Sequence, residues 1–221
     1  MERSIQLTAD GSSTIFVPEL NQHYHSTHGA LQESMHVFIE AGLKNHQAKQ
    51  LSILEIGFGT GLNAWLTAIE AKKVDKKVSY VGVEKHPVSV TEAAQLNYTS
   101  VYAENKEREL FTALHVAEWE KEVPISPYFS LLKKQLNFLE IADKNAFDII
   151  YFDAFAPNAQ PELWTEELFG KMFLALKTGG FLVTYCAKGQ VKRNLKSVGF
   201  TLESLPGPPG KREMTRALKA I

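Results

Sequence analysis

Three glycines at alternate positions, directly after an apolar run, form the part of this sequence best suited to bind a small molecule. In the segment 51–63, Glu55 lies in the apolar run, and Gly57, Gly59 and Gly61 follow it. The run predicts a buried strand, and the glycines predict a turn into a helix. Glycine lets a ligand approach the main chain closely, and a helix N-terminus offers free N–H groups. We therefore expect a nucleotide-like ligand at this turn.

The spacing of the glycines distinguishes two classes of nucleotide. A dinucleotide fingerprint, G-x-G-x-x-G, would need glycine at position 62, where the chain has Leu62. The pattern present, E-x-G-x-G-x-G, is typical of proteins that bind S-adenosylmethionine. The spacing thus favours S-adenosylmethionine over a dinucleotide, and a glycine turn with only a packing role remains the plain alternative.

Two acidic residues follow other predicted strands. Glu84 comes directly after the apolar run 78–83, and Asp153 comes after the run 147–152. A carboxylate in the position of Glu84 can accept hydrogen bonds from both ribose hydroxyls of an adenosine, and Asp153 would lie beside the reactive end of the ligand. Within Asp153-Ala-Phe155-Ala-Pro157, Phe155 offers a ring for stacking on a base, and Pro157 stiffens the turn. The alternatives are a surface acid at Glu84 and a helix-capping Asp153 beside a core phenylalanine.

These residues need a sheet that brings strand ends together. Nearly continuous apolar strands that alternate with helices predict a parallel sheet covered on both faces. Ligands of such sheets bind outside the carboxyl ends of the strands, so Glu55, Gly61, Glu84, Asn137 and Asp153 should surround one pocket. The sequence predicts strands at 53–56, 78–83, 136–139, 147–152 and 181–185, and helices at 62–71, 87–96, 161–176 and 190–198. The stretch 98–130 is weakly helical in pattern.

Both ends of the chain predict smaller elements. Residues 4–17 suggest a hairpin, residues 30–43 a helix, and a closing hairpin would pair 200–205 with 214–218. A closing hairpin is typical of class I methyltransferases rather than dehydrogenases. We therefore predict an α/β fold of the class I S-adenosylmethionine-dependent methyltransferase type, which is Rossmann-like. Residues 1–45 would form an N-terminal hairpin and helix extension that packs on a methyltransferase domain, 46–221.

Composition excludes several function classes. The 221 residues suit one domain with a full core, and 44% are hydrophobic. A single cysteine, Cys186, excludes an internal disulfide framework and a thiolate zinc cluster. His23, His25, His28 and His36 are spaced for chelation but have no cysteine partners, so we expect no metal. The start of the sequence has no apolar signal segment and no run reaches transmembrane length, which leads us to expect a cytoplasmic protein without a membrane partner.

Charge is unevenly distributed. The net charge is -1, yet the last 35 residues contain eight lysines and arginines against two glutamates. A cationic end on an acidic body suits a protein that meets a polyanion on one side, although a solvated helix face and a charged tail would give the same count. The cations expected to contact phosphates are Lys188, Lys192, Arg193, Lys211 and Arg212.

Taken together, these motifs resemble the MnmD family, the methyltransferase half of MnmC-type proteins, here in a stand-alone form. The resemblance covers about residues 20 to 218. It includes Leu54-Glu-Ile-Gly-Phe-Gly-Thr-Gly-Leu-Asn63, Glu84-Lys85-x-Pro87, Asp153-x-Phe155-Ala-Pro157, Pro161-x-x-Trp164 and Gly210-Lys-Arg-Glu-Met214, with Tyr24-His-Ser26-x-x-Gly29-Ala-x-x-Glu33-Ser34 near the start. The combination is far more specific than the glycine turn alone.

The resemblance implies a reaction and a set of roles. The family transfers a methyl group from S-adenosylmethionine to 5-aminomethyl-2-thiouridine at the wobble position of tRNA, giving 5-methylaminomethyl-2-thiouridine. By resemblance, Asp153 lies at the substrate amine and Phe155 packs at the same site. The implied cofactor residues are Glu55, Gly57, Phe58, Gly59, Thr60, Gly61, Asn63, Glu84, Lys85, Asn137 and Asp153. The implied substrate and tRNA residues are Tyr24, Ser26, Glu33, Pro157, Lys188, Lys192, Arg193, Lys211 and Arg212.

The chain departs from the family pattern at two points. A chain of 221 residues leaves no room for the FAD-dependent oxidase half of the fused proteins, so we expect methylation but no removal of a carboxymethyl group, and dependence on another enzyme that supplies the aminomethyl group. Asn137 aligns where the family often has aspartate near the adenine. The alternatives are an aminopropyltransferase-like enzyme, another small-molecule amine methyltransferase and a non-catalytic tRNA-binding protein.

Overall fold

An eight-stranded sheet forms the centre of the molecule. The computed structural model describes residues 2–102 and 105–220, and the strand order in this sheet is β10-β11-β9-β8-β4-β5-β7-β6. The strands are β4 (Gln50–Ile56), β5 (Lys77–Val83), β6 (Glu122–Ser126), β7 (Phe129–Lys134), β8 (Phe147–Phe152), β9 (Leu176–Thr184), β10 (Thr201–Pro206) and β11 (Glu213–Leu218).

The five central strands are parallel, as their apolar runs predict. β4 pairs with β5 and β8, β5 pairs with β7, and β8 pairs with β9, all in parallel register. Side chains on both faces of β4 and β8 are buried, since helices cover the sheet on each side. The carboxyl ends of these strands therefore meet at one edge of the sheet, where the glycine turn, Glu84 and Asp153 follow β4, β5 and β8.

Helices on the two faces divide the interior into two hydrophobic clusters. The first cluster contains Trp65 and Tyr98, and the second contains Phe152, Trp164 and Phe169. The α-helices are α1 (Ala30–Ser34), α2 (Leu62–Lys73), α3 (Val90–Ala93), α4 (Tyr98–Tyr102), α5 (Asn105–Val116), α6 (Glu166–Ala175) and α7 (Gly189–Ser197). No helix in the described ranges combines the length and apolar character needed to cross a lipid bilayer.

The N-terminal elements pack directly on this core. A three-stranded sheet contains β1 (Ser4–Leu7), β2 (Ser13–Val17) and β3 (Gln22–His23), which confirms the predicted hairpin. The predicted helix 30–43 is helical over 30–40, since α1 continues as a π-helix from Met35 to Glu40. The Phe38 ring lies 5.1 Å from the Tyr151 ring of β8, so the extension and the sheet share one cluster. The boundary between 1–45 and 46–221 stays a prediction.

The third predicted strand is wrong. Residues 136–139 do not form a strand; the strand at this place in the sheet is β7, which ends at Lys134. Asn137 instead caps a 3-10 helix, Phe138–Glu140, since its side chain accepts a hydrogen bond from the N–H of Leu139. β7 is fully buried only at alternate positions, and it contains Ser130, Lys133 and Lys134, so no continuous apolar run marks this strand in the sequence.

Other boundaries also differ from the predictions. The helix expected from Pro87 to about Leu96 is only α3, because Ser89 and Glu92 form a capping box that starts the helix at Val90. The helix expected over 161–176 is a 3-10 turn, Pro161–Trp164, followed by α6, since Thr165 caps a new helix. The stretch 98–130 contains α4 and α5 but then the strands β6 and β7; its residues 103 and 104 lie outside the described residues.

The closing hairpin is confirmed. β10 and β11 are antiparallel, and β11 lies between β10 and β9. The adjoining helix α7 begins at Gly189 after β9, so both the hairpin loop 207–212 and the start of α7 stand near the carboxyl edge of the sheet. This is the edge on which a ligand is expected.

We predict that Phe38→Ala lowers the free energy of unfolding by about 3–5 kcal/mol, since the ring is fully buried against the sheet. Urea denaturation measures the change. Leu174→Ala, at a largely exposed position, serves as the control and should shift stability by no more than about 0.5 kcal/mol. A Phe38→Ala protein as stable as the control would show that the extension contributes little to the core.

Candidate active site

The glycine turn is held tightly against two strands. The N–H groups of Gly57 and Phe58 both donate to the carbonyl of Val83 at 3.0 Å, and the N–H of Asp153 donates to the carbonyl of Ile56 at 3.0 Å. Gly57 has a φ of +87°, and a Cβ there would lie 2.6 Å from the carbonyl oxygen of Asp153. Only glycine satisfies both conditions, so this residue brings the turn and the end of β8 together.

A cavity of about 170 Å³ opens at the carboxyl edge between these strand ends. It is lined by Tyr24, Gly57, Gly59, Glu84, Lys85, His86, Asn137, Phe138, Leu139, Asp153, Ala154, Phe155, Gln160, Glu162 and Leu163. The structure thus brings together residues from the ends of β4, β5 and β8 with Tyr24 from the N-terminal extension. Of the predicted cofactor residues, Gly57, Gly59, Glu84, Lys85, Asn137 and Asp153 line the cavity.

Glu84 is a nearly buried acid at the end of β5. One carboxylate oxygen, Oε2, accepts the N–H of Gly59 at 3.1 Å, and Oε1 accepts the N–H of His86 at 2.8 Å. These two bonds fix the carboxylate in the cavity wall. Each carboxylate oxygen has more than one lone pair, so the group can still accept the hydroxyls of a ribose.

Glu55, Asn63 and Asp153 form a hydrogen-bonded network beneath the turn, in which Glu55 and Asn63 are buried and Asp153 faces the cavity. The Nδ2 group of Asn63 donates to Oε1 of Glu55 at 2.9 Å and to Oδ2 of Asp153 at 2.8 Å. Among the described residues, Oε2 of Glu55 and Oδ1 of Asn63 are buried acceptors with no hydrogen-bond partner. Buried acceptors of this kind call for a donor, and the ammonium group of a methionine moiety is such a donor. The chemistry of these acceptors therefore fits S-adenosylmethionine.

The two carboxyls of this network resist ionisation. Burial, with the negative charge of Glu33 next in size, raises the pKa of Asp153 to about 7, although Asn63 and Lys211 act in the opposite direction. Burial also raises the pKa of Glu55 well above its usual value, and the charge of Asp153 adds to this effect. A carboxyl with a pKa near neutrality can both accept and release a proton at physiological pH.

Two aromatic donors hold the segment that carries Asp153 and Phe155. Nε1 of Trp164 donates to the carbonyl of Phe155 at 2.8 Å, and the hydroxyl of Tyr185 donates to the carbonyl of Ala154 at 2.8 Å. On the cavity side, the Tyr24 ring meets the Phe155 ring edge-on at 5.0 Å. Pro157 continues this segment outside the cavity lining.

Several predicted cofactor residues lie behind the cavity rather than on its wall. Phe58 is buried, and its ring is so close to β5 that a Cβ on Gly82 would lie 2.4 Å from it. The hydroxyl of Thr60 accepts from Tyr98 at 3.3 Å, and Gly61 caps α2 beside His115. These residues therefore support the glycine turn on the side that faces away from the cavity. Burial lowers the pKa of His115 to about 4, so this ring is neutral at physiological pH.

Two predicted substrate residues near the start of the chain, Ser26 and Glu33, contact each other and the hairpin loop instead of lining the cavity. Oε1 of Glu33 accepts the N–H of Ser26 at 3.0 Å, and its Oε2 forms an ion pair with Lys211. The histidines considered for a metal have separate contacts: His23 bonds Gln6, and His36 bonds the carbonyl of Pro206.

The other predicted cations differ in exposure and contacts. Lys188 donates to Asn158, and Lys192 pairs with Glu213 at 2.9 Å. Arg193 and Arg212 are exposed. The arginines are thus better placed than Lys192 and Lys211 for a polyanion.

Sequence reasoning missed several residues of the site. His86, Phe138, Leu139, Gln160, Glu162 and Leu163 line the cavity because the chain turns back at the strand ends, which no motif marks. Tyr185 could have been predicted as a residue near the site, since it immediately follows strand β9 at the carboxyl edge.

The strand order, the closing hairpin and a cavity beside Glu84 and Asp153 define a class I methyltransferase. A family model described as S-adenosyl-L-methionine-dependent methyltransferase matches residues 95–220. The chain belongs to this family. The match agrees with the motif resemblance, and S-adenosylmethionine is accordingly the cofactor.

Known proteins resemble the chain in sequence and fold. It is 29% identical over 217 residues to the tRNA 5-methylaminomethyl-2-thiouridine biosynthesis bifunctional protein MnmC of Pseudoalteromonas translucida, covering 86% of this chain and 32% of that protein. The MnmC protein of Leptospira borgpetersenii is 32% identical over 209 residues, covering 86% and 31%. The chain therefore spans about a third of these relatives. The crystal structure of MnmC2 from Aquifex aeolicus matches with a TM-score of 0.79 and 26% identity, covering 100% of this chain and 71% of that one.

We predict that Gly59→Val weakens binding of S-adenosylmethionine at least tenfold, as measured by calorimetry. Gly59 has a φ of +48°, and a Cβ there would lie 3.0 Å from the Tyr24 ring in the cavity. Gly179→Val, with a φ of +80° and open space around its Cβ position, is the matched control for backbone strain and should bind like the parent. Equal affinity in both variants would remove the turn from the cofactor site.

Proposed function

We propose that this chain methylates the 5-aminomethyl group of a wobble uridine or 2-thiouridine in tRNA, giving the 5-methylaminomethyl form. The observation that supports it most is a carboxyl with a pKa of about 7, Asp153, in the same cavity as Glu84 and Gly59. A carboxyl of this kind can accept a proton from a primary ammonium, so a primary amine is the methyl acceptor that suits this cavity. Relatives of this chain include proteins named for 5-methylaminomethyl-2-thiouridine biosynthesis.

The mechanism depends mainly on Asp153. When bound, S-adenosylmethionine supplies a methyl group that is already activated by a sulfonium. A primary ammonium has no lone pair until it loses a proton, and Asp153 can orient the ammonium and accept that proton. Asn63 holds the Asp153 carboxylate at 2.8 Å, and Phe155 packs beside the reacting amine. Positioning by these residues would supply much of the rate enhancement, and Glu84 would hold the ribose.

The tRNA phosphates would lie along the start of α7 and the loop 207–212. Arg193 and Arg212 are exposed there, and Lys188 reaches Asn158 five residues beyond Asp153. Cations on a surface rather than in a pocket suit phosphate oxygens, which position a nucleic acid without reading its sequence. Tyr24 and Pro157 would lie near the flipped-out base. With a tRNA substrate, the enzyme would act in the cytoplasm, after an enzyme that supplies the aminomethyl group.

An aminopropyltransferase is the second candidate class, and it is not favoured. Spermidine synthase from Thermotoga maritima matches with a TM-score of 0.56 but only 16% identity, which reflects the fold alone. The exposed arginines of α7 and the loop 207–212, Arg193 and Arg212, have no use in making a small polyamine.

The proposal is tested by incubating the protein with S-adenosylmethionine and tRNA whose wobble uridine carries an aminomethyl group, followed by mass spectrometry of the nucleosides. We expect one added methyl group on that nucleoside. Transfer to free amines but never to tRNA would favour a small-molecule methyltransferase.

We predict that Asp153→Ala lowers turnover by roughly 100-fold or more, the scale of a lost general base, while leaving cofactor affinity largely intact. Because the Asp153 carboxyl accepts a proton only when ionised, turnover of the parent should rise with pH through the region of its pKa. Rates measured from pH 6 to 9 check both points. Full activity of Asp153→Ala across this range would exclude the residue from the mechanism.

We predict that replacing Arg193 and Arg212 together by alanine raises the Michaelis constant for tRNA. Each phosphate contact contributes roughly -0.7 to -0.9 to the log–log slope of affinity against salt, so the slope should flatten by about one to two. Calorimetry should find cofactor affinity unchanged. An unaltered slope would mean that the tRNA lies on another face.

A further inference from the structure

Lys211 differs from its neighbour Arg212, although both stand in the same hairpin loop. Its ammonium group forms an ion pair with Oε2 of Glu33, whose side chain is only 8% exposed. The same ammonium lies 3.8 Å from the centre of the Tyr185 ring. Lys211 therefore points inward, between a buried carboxylate and an aromatic face, while Arg212 is exposed.

Both partners of Lys211, Glu33 and Tyr185, contact segments that line the cavity. Glu33 accepts the N–H of Ser26, and Tyr24, two residues earlier, lines the cavity and meets the Phe155 ring. Tyr185 donates its hydroxyl to the carbonyl of Ala154, between Asp153 and Phe155. One lysine thus connects the segment 24–26 on one side of the cavity with the segment 153–155 on the other.

The loop around Lys211 is docked at further points. Nε2 of His36 bonds the carbonyl of Pro206 at 2.8 Å, and a Cβ on Gly210 would lie 2.2 Å from the His28 ring. The hairpin loop is therefore packed on the N-terminal extension, and the inward direction of Lys211 is part of this contact.

We propose that Lys211 is a positioning residue of the active site rather than a tRNA contact: through Glu33 and Tyr185 it fixes both walls of the cavity and balances the charge beside Asp153. This inference depends on the proposed role of Asp153. It assigns a role to the hairpin loop that is distinct from phosphate binding.

Electrostatics supports this assignment. The charges that act on Asp153 are those of Glu33 from α1 and Lys211 from the hairpin loop. Asp153 in turn raises the pKa of three neighbouring groups, which are Glu55 from β4, Tyr80 from β5 and Tyr185 after β9. Glu33 raises the pKa of Asp153, and Lys211 lowers it. Loss of the lysine would leave a buried, unpaired Glu33 near the reacting amine, which is costly and raises the proton affinity of Asp153.

The test compares Lys211→Met with Arg212→Met in the full chain, measuring kcat against pH and the Michaelis constant for tRNA against salt. In Lys211→Met, we expect the acid limb of kcat to move about one pH unit upward, the scale of a changed charge near a carboxyl, with the salt slope unchanged. In Arg212→Met, we expect the parent pH profile and a flatter salt slope.

Two further variants keep the test decisive. Lys211→Arg retains a cation that can pair with Glu33 and stack on Tyr185, so the pH profile should return close to that of the parent. Glu33→Gln removes the opposing charge and should move the acid limb downward; it decides the matter if Lys211→Met does not fold. A parent-like pH profile with a flattened salt slope in Lys211→Met, or an unmoved profile in Glu33→Gln, would overturn the proposal.

Failure of the proposed function would look different. If the parent transferred no methyl group to tRNA at any pH, the methylation proposal would fail. The Asp153 carboxyl resonance could then be titrated by NMR in the parent and in Lys211→Met. An upward shift in the variant would support the role of Lys211, and identical titrations would overturn it.

Discussion

A single side-chain amide connects the ends of strands β4 and β8 in this site. Asn63, at the start of α2, donates one amide group to both Glu55 and Asp153. Two carboxyls so close together in a buried place repel each other when both are ionised, and the shared donor reduces that cost. The position of Asp153, and through it that of Phe155, depends on this amide. The glycine turn matters because it places the start of α2 where Asn63 can reach both strand ends.

The same constraint explains the chemistry. A carboxyl that faced water freely would keep its usual low pKa and would be a weak base toward an ammonium. Burial beside Glu33 brings the pKa of Asp153 near neutrality, where proton transfer to a carboxylate is practicable. The cost of such a group is offset by the tight fixing of its segment, since Trp164 and Tyr185 bond the next two carbonyls. The active site thus contains an electrostatically costly carboxyl that its hydrogen-bonded segment holds in place.

The sequence correctly predicts those site residues that directly follow a buried strand. Glu84 and Asp153 follow apolar runs without a break, so a parallel sheet places both at one edge, and the structure has both in one cavity. The sequence is misleading where the apolar run is interrupted: β7 contains Ser130, Lys133 and Lys134, and the strand predicted at 136–139 lies at 129–134. Asn137 nevertheless lines the cavity, because the chain turns at the same edge. Lys211 was expected on the surface, since its pairing with Glu33 joins residues 178 positions apart, which no local pattern reveals.

The proposed chemistry requires that one cavity hold the cofactor between Glu84 and Asp153. A crystal structure with S-adenosylhomocysteine, the demethylated cofactor, would show whether it does. We expect the ribose hydroxyls on the Glu84 carboxylate, the amino-acid end near Glu55 and Asn63, and the sulfur facing Asp153. A ligand bound away from Glu84, or with its sulfur directed away from Asp153, would rule out this arrangement.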